Sequence, residues 1–350
     1  MKTRTLLVDS SYLLKRSYHG AKDSYTTSFG HIGGLYSFMT TVRKLIKEHM
    51  INKVVLAWDG QNGGIDRYRI DRNYKANRFS KEWHTKIEMS EHELKREKEK
   101  QDSILKQRKR IQAYAEELFL RQIEVDEIEA DDIIAAYCYK YNNKEEIYLY
   151  TNDRDFAQLL DLNITIIFPT ISQPVTRVNY MMHFNHYYAN ALTIKIIEGD
   201  TADNIQGIEG LKEKTLLKHF PELGFRYMSV KEICKKAKEI NDLRKSEKKK
   251  PLKALESLLN NVERLKINYQ LINLSKQMLN EEAREELLQI EMPLSPEDRN
   301  SQNLFNLMKE DGFLTVYGGT FVNYVEPFYS VIMYEKQLLK EYEKKSRILS

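Results

Sequence analysis

The chain has 350 residues, of which 41% are hydrophobic and 30% are charged, and its formal net charge is +4. This balance is typical of a globular protein with a real core, and it excludes a chain too polar to fold. No apolar run approaches the roughly 18 residues of a membrane span, and Cys138 and Cys234 are too few for a disulfide framework or a zinc site. We therefore expect a cytoplasmic protein that does not contact a membrane.

The first half alternates short apolar segments with helical periods, which is the pattern of an α/β domain with a mostly parallel sheet. The predicted strands are residues 3–8, 53–58, 147–151 and 164–168. The predicted helices are residues 11–19, 34–49, 130–141 and 156–160.

Residues 79–117 break this pattern because they are highly charged and contain neither glycine nor proline. We predict one or two exposed helices there, and the charge pattern alone fits a solvated insertion without function equally well. From about residue 190 the pattern becomes helical, with a turn at Gly207–Gly210. The chain is thus predicted to consist of an α/β domain at 1–190 and a helical domain at 191–350.

Acidic residues recur at five places near the ends of predicted elements. They are Asp9; Asp59; Glu129, Asp131 and Asp132; Asp153 and Asp155; and Asp200 and Asp203. Taken singly, each is better explained as a helix N-cap or a turn residue. Three of the clusters follow strands, however, and the carboxyl ends of parallel strands form the usual site of an open sheet. So many converging carboxylates repel one another unless cations are bound.

Every donor in this set is a hard oxygen ligand, which favours Mg²⁺ or Mn²⁺ over zinc or copper. Two such ions roughly 3.5–4 Å apart are the usual arrangement for hydrolysis of a phosphodiester. The sequence therefore predicts a two-metal site, with Mg²⁺ as the expected ion and Mn²⁺ as a substitute. His183 and His186 are discounted as ligands, since no cysteine or acidic residue lies near them in the sequence.

Six segments follow one another over residues 1–220: LLVDSS, LAWDG, RNYKANR, EADDIIA, TNDRDFAQLL and GDTADNIQGIEGLKEKT. This series resembles the PIN-like 5′-nuclease (flap endonuclease) superfamily. It is most similar to the phage-type 5′-exonuclease/ribonuclease H branch and the 5′-nuclease domain of bacterial DNA polymerase I. The resemblance implies a helical arch at about 79–117 and a helix-turn-helix element that binds duplex at about 199–220, followed by a helical C-terminal region.

The resemblance also implies roles for individual residues. The ligands of a first metal correspond to Asp9, Asp59, Glu129, Asp131 and Asp153. Those of a second metal correspond to Asp155, Asp200 and Asp203, and Asp132 could serve either ion. Lys75 and Arg78 match the cations that members of the family direct at the scissile phosphate, which makes them catalytic candidates together with Asp153.

Further residues of the resemblance concern nucleic-acid binding. Tyr74 either stacks on a terminal base or packs at the root of a helix, and the sequence leaves both open. Gly207 and Gly210 match the turn that grips duplex backbone, with Lys212 and Lys214 within reach of a phosphate. The family usually has a glycine where this chain has Lys212, so the backbone geometry there and a bound K⁺ also stay open.

These observations predict a structure-specific 5′-nuclease. It would cut DNA or RNA near 5′ ends, leaving a 5′-phosphate and a 3′-hydroxyl, on a DNA or RNA–DNA duplex with a 5′ single strand or a nick. A stand-alone chain of this size suggests a monomer that works with replication proteins, in the bacterial host cytoplasm if a phage encodes it. Two alternatives remain, a PIN-type ribonuclease and a non-catalytic module that binds branched DNA.

Overall fold

The computed structural model describes residues 2–21, 24–77, 89–296 and 299–349. Over these residues the strands are β1 (Arg4–Asp9), β2 (Tyr25–Thr26), β3 (Gly30–His31), β4 (Lys53–Asp59), β5 (Arg121–Val125), β6 (Glu146–Tyr150) and β7 (Thr165–Ile167). The helices are α1 (Ser10–Gly20), α2 (Gly33–His49), α3 (Ile65–Ile70), α4 (Glu91–Glu117), α5 (Ala130–Tyr141), α6 (Ala191–Glu198), α7 (Glu213–His219), α8 (Val230–Ser246), α9 (Lys253–Asn260), α10 (Val262–Ile272), α11 (Glu281–Gln289), α12 (Ser301–Glu310), α13 (Phe313–Tyr317), α14 (Phe321–Val325) and α15 (Tyr329–Leu349).

The chain forms two compact units. The first comprises the described residues of Met1–Gly63, Met89–Thr151 and Leu279–Ser350, and the second those of Gly64–Glu88 and Asn152–Met278. The predicted division into an α/β domain at 1–190 and a helical domain at 191–350 stays a prediction. Compactness divides the chain elsewhere, since residue 190 lies inside the second unit and the last 72 residues, Leu279–Ser350, belong with the N-terminal strands.

Four strands of the first unit form parallel pairs in the order β5-β4-β1-β6. Strand β1 is central, with Val8 opposite Leu56 of β4 on one side and Tyr150 of β6 on the other. Its apolar residues are completely buried, as in a parallel sheet that is covered on both faces. The predicted fold class, an α/β fold with a mostly parallel sheet and a helical remainder, is confirmed.

Strand β5 was not predicted, because its sequence RQIEV is short and begins with two polar residues. The side chain of Arg121 is nevertheless buried, since both Nε and Nη2 donate to the Glu335 carboxylate of α15 at 2.8 and 2.5 Å. Its Nη1 also donates to the Ile290 carbonyl at 2.7 Å. The partners of Arg121 lie more than 160 residues away in the sequence, so the local sequence does not show why this arginine can be buried.

The second unit is mainly helical, and the core that packs α6 to α10 contains buried apolar residues such as Ile197, Leu216 and Leu255. The helix predicted at 156–160 is a 3-10 helix, Arg154–Leu162. Three residues per turn place Phe156 and Leu159 on one side, and both are buried. Over the described residues, no helix combines the length and the apolar character needed to cross a membrane.

Candidate active site

Asp9 ends β1 and begins α1. One of its carboxylate oxygens accepts the Tyr12 amide at 3.0 Å and caps the helix. The other accepts the Thr151 hydroxyl at 3.1 Å, just beyond the end of β6. Asp9 is therefore an N-cap and a strand-end carboxylate at once, so the two interpretations from the sequence do not exclude each other.

Asp59 ends the neighbouring strand β4, two residues beyond Ala57, the residue that pairs with Asp9. Its Oδ1 accepts the Ala130 amide at 2.9 Å, which joins it to the first residue of α5. The next residue must be a glycine, because a Cβ on Gly60 would lie 1.7 Å from the Val125 carbonyl oxygen. Sequence and packing therefore place Asp59 beside the N-terminus of α5.

Three predicted ligands surround that helix terminus. Glu129 is the N-cap residue of α5, and Asp131 and Asp132 lie in its first turn. Glu129 and Asp132 are buried, with 4% and 1% of their surfaces exposed. The partial positive charge of a helix N-terminus favours carboxylates there. In the first unit, the ends of β1 and β4 and the start of α5 thus form one acidic edge.

The second unit carries the remaining predicted ligands. Asp153 caps the 3-10 helix, with its Oδ1 accepting the Asp155 amide at 2.8 Å. Asp200 lies after α6, where its Oδ1 accepts the amides of Ala202 at 2.7 Å and Asp203 at 3.4 Å. Lys195, which was not predicted as a site residue, lies between two of them: its Nζ is 3.0 Å from an oxygen of Asp155 and 2.8 Å from one of Asp200.

A signal for Lys195 does exist in the sequence. It stands alone as a charged residue within ALTIKII, an otherwise apolar stretch of α6. A lysine in such a place usually has a partner, because burial of an unpaired charge is costly. The nearest acidic residues of the chain are Glu198 and Asp200, and the second of these is the partner that the structure shows.

The electrostatics of this cluster reflect crowding of like charges. Burial, together with the charges of Asp203 and Asp200, raises the pKa of Asp153. Burial and the charge of Asp153 raise the pKa of Asp155 to about 7, even though Lys195 opposes the shift. Burial also disfavours ionised Asp200, but the hydrogen bond and charge of Lys195, together with the amides of Ala202 and Asp203, outweigh this effect and lower its pKa.

The loop that carries Lys75 is joined to the segment around Asp203. The Lys75 amide donates to the Asp203 carbonyl at 2.8 Å. The Asn204 side-chain amide donates to the Asn73 carbonyl at 2.8 Å, and that of Asn77 to the Thr201 carbonyl at 3.1 Å. Lys75 itself has a left-handed backbone, with φ of 54°. The structure therefore places Lys75 beside the acidic residues of the second unit, and Arg78 lies outside the described residues.

Tyr74 is buried, with 5% of its surface exposed. It packs with Ile205, Leu271 and Ile272 in one apolar cluster. The Nζ of Lys75 lies 5.0 Å from the centre of its ring. These surroundings favour the packing interpretation of Tyr74 over the stacking one.

The turn that precedes α7 depends on close backbone approach. A Cβ on Gly207 would lie 2.0 Å from the Glu198 carbonyl oxygen, and Gly210 has a φ of +79°. Lys212 has an extended backbone, with φ of −84° and ψ of 162°, which any residue adopts. A lysine is thus compatible with the turn geometry at this position, and both Lys212 and Lys214 have exposed side chains.

The predicted charged insertion is a helix where it is described. Ser90 and Glu93 form a capping box that begins α4. The first ten residues of α4 are mostly exposed, whereas Gln107, Ile111 and Tyr114 are buried further along. Residues 79–88 of the insertion lie outside the described part, and its role as an arch stays a prediction.

The structure gives one of the discounted histidines an acidic partner that is distant in the sequence. His186 has an acidic partner, because its Nδ1 lies 2.9 Å from an oxygen of Glu213, 27 residues later. Its Nε2 lies 2.8 Å from the Tyr180 hydroxyl. The hydrogen bond to His186 lowers the pKa of Glu213. These bonds identify His186 as a buried structural histidine of the second unit.

In the described part of the chain, no group of three or more histidine, cysteine or acidic side chains is placed closely enough to hold a metal ion. The chemistry of the donors nevertheless fits a hard divalent cation. Asp153, Asp155, Asp200 and Asp203 offer only carboxylate oxygens, and burial, with repulsion by neighbouring carboxylates, raises the pKa values of Asp153 and Asp155. A bound cation would relieve that repulsion.

The sequence of this chain is similar to those of known proteins. Residues 4–191 match the family model described as the 5′-3′ exonuclease, N-terminal resolvase-like domain. A 5′-3′ exonuclease of Mycoplasmopsis pulmonis is 27% identical over 225 residues, which cover 62% of this chain and 67% of that protein. A 5′-3′ exonuclease of Halalkalibacterium halodurans is 27% identical over 236 residues, which cover 63% of this chain and 70% of that one.

Solved structures show the same fold. The bacteriophage T5 flap endonuclease, in a pseudo-enzyme–product complex with DNA and metal ions, matches with a TM-score of 0.63 and 19% identity, over 82% of this chain and 98% of that one. The T5 5′-exonuclease with bound zinc ions matches with a TM-score of 0.61 and 20% identity, over 82% and 99%.

Proposed function

Because the chain belongs to the 5′-3′ exonuclease family and is therefore a nuclease, we propose that it hydrolyses phosphodiester bonds near the 5′ ends of nucleic acids with two divalent metal ions. The observation that carries the proposal is the crowding of carboxylates around Asp153 and Asp155, where burial first, and then the charges of neighbouring acidic side chains, raise the pKa of both groups. Such an arrangement costs stability in a protein that binds no cation.

The proposed ligands divide as the sequence resemblance implies. One ion would be held by Asp9, Asp59, Glu129, Asp131 and Asp153, and the other by Asp155, Asp200 and Asp203, with Asp132 able to serve either. When bound, divalent ions activate a water molecule and neutralise charge that develops on the phosphate. We propose Mg²⁺ as the natural ion, with Mn²⁺ as a substitute.

The protein's own groups would orient the substrate. The left-handed backbone at Lys75 and the bond from its amide to Asp203 fix the start of this side chain beside the acidic cluster. A fixed ammonium group there would stabilise charge on the transferring phosphoryl group. Arg78 is proposed for the same task from the sequence alone. Lys195 keeps Asp155 and Asp200 oriented through its two short contacts.

Substrate binding is proposed to use the turn before α7. Its backbone amides and the exposed side chains of Lys212 and Lys214 suit phosphates of duplex nucleic acid. A K⁺ ion at this turn belongs to the same proposal. The complex of the T5 flap endonuclease contains DNA and metal ions, which supports DNA as a partner. We propose in addition that the bound nucleic acid carries a 5′ single strand or a nick. We propose that the enzyme acts as a monomer alongside replication proteins.

The experiment is cleavage of a 5′-labelled flapped duplex with Mg²⁺ and with EDTA, beside a 3′-labelled copy. Metal-dependent release of short 5′ products is expected, and their length separates exonucleolytic from flap cutting. RNA-primed and all-DNA duplexes are compared in the same assay. Faster cleavage of single-stranded RNA than of any duplex would indicate a PIN-type ribonuclease. Tight binding without cleavage would indicate a non-catalytic module.

A further inference from the structure

A cavity of about 610 Å³ lies in the second unit. Asn152 and Arg154 line it, and they alternate in the sequence with Asp153 and Asp155. The rest of the lining comes from residues between Phe168 and Ser172 and between Met182 and Phe184. Pockets that bind small ligands measure about 300–1,000 Å³, so this space accommodates a nucleotide. None of these lining residues has a role in the cleavage chemistry described above.

Arg154 is the charged residue that distinguishes the cavity. Its side chain is exposed, and its guanidinium carbon lies 5.4 Å from the centre of the Phe184 ring. Its charge contributes to the lowered pKa of Glu213, and within the described residues no hydrogen bond or ion pair within 4 Å joins it to another side chain. A guanidinium offers five donors in a rigid fork that matches a phosphate. Arg154 therefore presents a preoriented anion-binding group at the cavity.

The Phe184 ring that Arg154 approaches is itself held in place by neighbouring side chains. Phe184 stacks on Tyr180, with ring centres 4.4 Å apart and planes 22° apart. Tyr180 is buried and bonded to His186, which in turn pairs with Glu213 of α7. This chain of contacts keeps the aromatic support of the guanidinium rigid. A rigid support lowers the entropic cost of binding a ligand at Arg154.

The remaining lining suits the sugar and base of a nucleotide. Ile171 and the exposed Met182 supply apolar surface, and Ser172 and His183 supply hydrogen-bonding groups. The Thr170 hydroxyl donates to Asn152 Oδ1 at 3.2 Å, which directs the amide of Asn152 as a donor. A base within a duplex is already paired and stacked, so only an unpaired nucleotide has its base free to enter.

We propose that this cavity binds an unpaired nucleotide of the nucleic-acid substrate, with the phosphate of that nucleotide at Arg154. The inference rests on the proposed nuclease function and adds a substrate subsite to it. Because the lining residues flank Asp153 and Asp155 along the chain, occupation of the subsite would help to set the register of the strand relative to the acidic cluster.

The first test compares Arg154→Gln with Arg177→Gln. Arg177 is an exposed arginine of the same unit that does not line the cavity, so the two variants remove the same charge. On a 5′-flap duplex at fixed salt, Arg154→Gln is expected to raise KM about tenfold, as for the loss of a charge-assisted hydrogen bond, with kcat within about twofold. An equal KM for both variants would overturn the proposal.

The second test locates the phosphate. A single neutral methylphosphonate is moved along the unpaired strand, and Kd is measured by fluorescence anisotropy in Ca²⁺. At one position the neutral linkage should weaken binding about tenfold for the unmodified protein and for Arg177→Gln, with no further effect on Arg154→Gln. Additive effects at every position would contradict the subsite. The binding readout does not depend on cleavage, so a failure of the nuclease proposal is recognised separately.

Discussion

Asp153 shows how one carboxylate serves structure and chemistry together. Its Oδ1 accepts the Asp155 amide and begins the 3-10 helix, while the side chain remains among the acidic residues of the second unit. An asparagine keeps a carbonyl oxygen that can accept the same amide, but it removes the charge. The effects of cap and charge are therefore separable at this position.

We expect Asp153→Asn to lower single-turnover cleavage by about a hundredfold or more, comparable to the loss of other groups that stabilise transition-state charge. Duplex binding, measured by anisotropy, should stay near that of the unmodified protein. Asp242→Asn is the matched control, since Asp242 is an exposed aspartate of α8 outside the acidic set. Near-normal turnover of Asp153→Asn would remove it from the ligand set.

Lys75 permits a second test at the residue scale. If its ammonium acts on the reacting phosphate, Lys75→Ala should lower kcat more than it raises KM. Lys253→Ala, which removes an exposed lysine at the start of α9, serves as the control. Steady-state kinetics on the flapped duplex separates the two constants. A loss confined to KM would identify Lys75 as a residue that binds substrate only.

Asp155 predicts a pH dependence of stability in the metal-free protein. Its pKa is raised from an ordinary 3.8 to about 7, because burial and Asp153 disfavour its charge. Between these values the folded chain holds a proton that the unfolded chain has released. The free energy of unfolding should therefore fall as pH rises from about 4 to about 7.

Urea unfolding in EDTA at several pH values measures this effect. Asp155→Asn should flatten the decline and should be more stable than the unmodified protein above pH 7, where the repulsion is fully present. Asp242→Asn should keep the original slope. Parallel curves for all three proteins would show that Asp155 does not carry the strain.

At the scale of elements, the connection from α6 to α7 depends on backbone approach rather than on side chains. Asp200 and Ile205 exchange two backbone hydrogen bonds of 2.8 and 2.7 Å, and Gly207 passes directly against Glu198. This closed turn fixes the backbone that carries Asp200 and Asp203. Its geometry also explains why glycine at 207 is required, whereas lysine is tolerated at 212.

Gly207→Ala should therefore destabilise the protein by about 1–3 kcal/mol, as overpacking of a tight site usually does. The neighbour it would meet is backbone, the Glu198 carbonyl, which cannot swing aside. Gly224→Ala is the control, because a Cβ there has only an ordinary contact of 3.7 Å with the Asn185 carbonyl. Chemical denaturation compares the two, and equal stability would show that the turn relaxes.

At the scale of the whole molecule, the C-terminal segment completes the first unit. Helix α15 carries Glu335, whose fully buried carboxylate pairs with Arg121 of β5. A second buried pair, Lys53 with Glu145 at 2.8 Å, lies in the same unit. Buried pairs of this kind contribute little net stability but are costly to break, since one charge is then left without a partner.

Glu335→Ala should accordingly cost about 3–5 kcal/mol of unfolding free energy. The exposed pair Lys44–Glu48 gives the contrast, and Glu48→Ala should cost no more than about 1 kcal/mol. Replacement of both Arg121 and Glu335 by leucine should recover part of the loss, because no buried charge remains. A small effect of Glu335→Ala would mean that α15 detaches without consequence for the sheet.

The sequence by itself determined the elements with a strong local pattern. The four predicted strands and most predicted helices exist within one or two residues of their expected bounds, because apolar runs and helical periods are properties of adjacent residues. The acidic residues that end β1 and β4 and begin α5 were likewise readable in advance, since strand ends and helix starts fix where they lie.

Only the tertiary structure decided the partners of charged and polar groups. Strand β5 depends on Glu335, 214 residues after Arg121, and His186 on Glu213. The burial of Tyr74 is decided in the same way, by apolar residues of α10. These pairings form only when the folded chain brings distant residues together. The free energy of a buried charge is then set by its partner in space and not by the adjacent residues of the sequence. Periodicity carries no information about such neighbours.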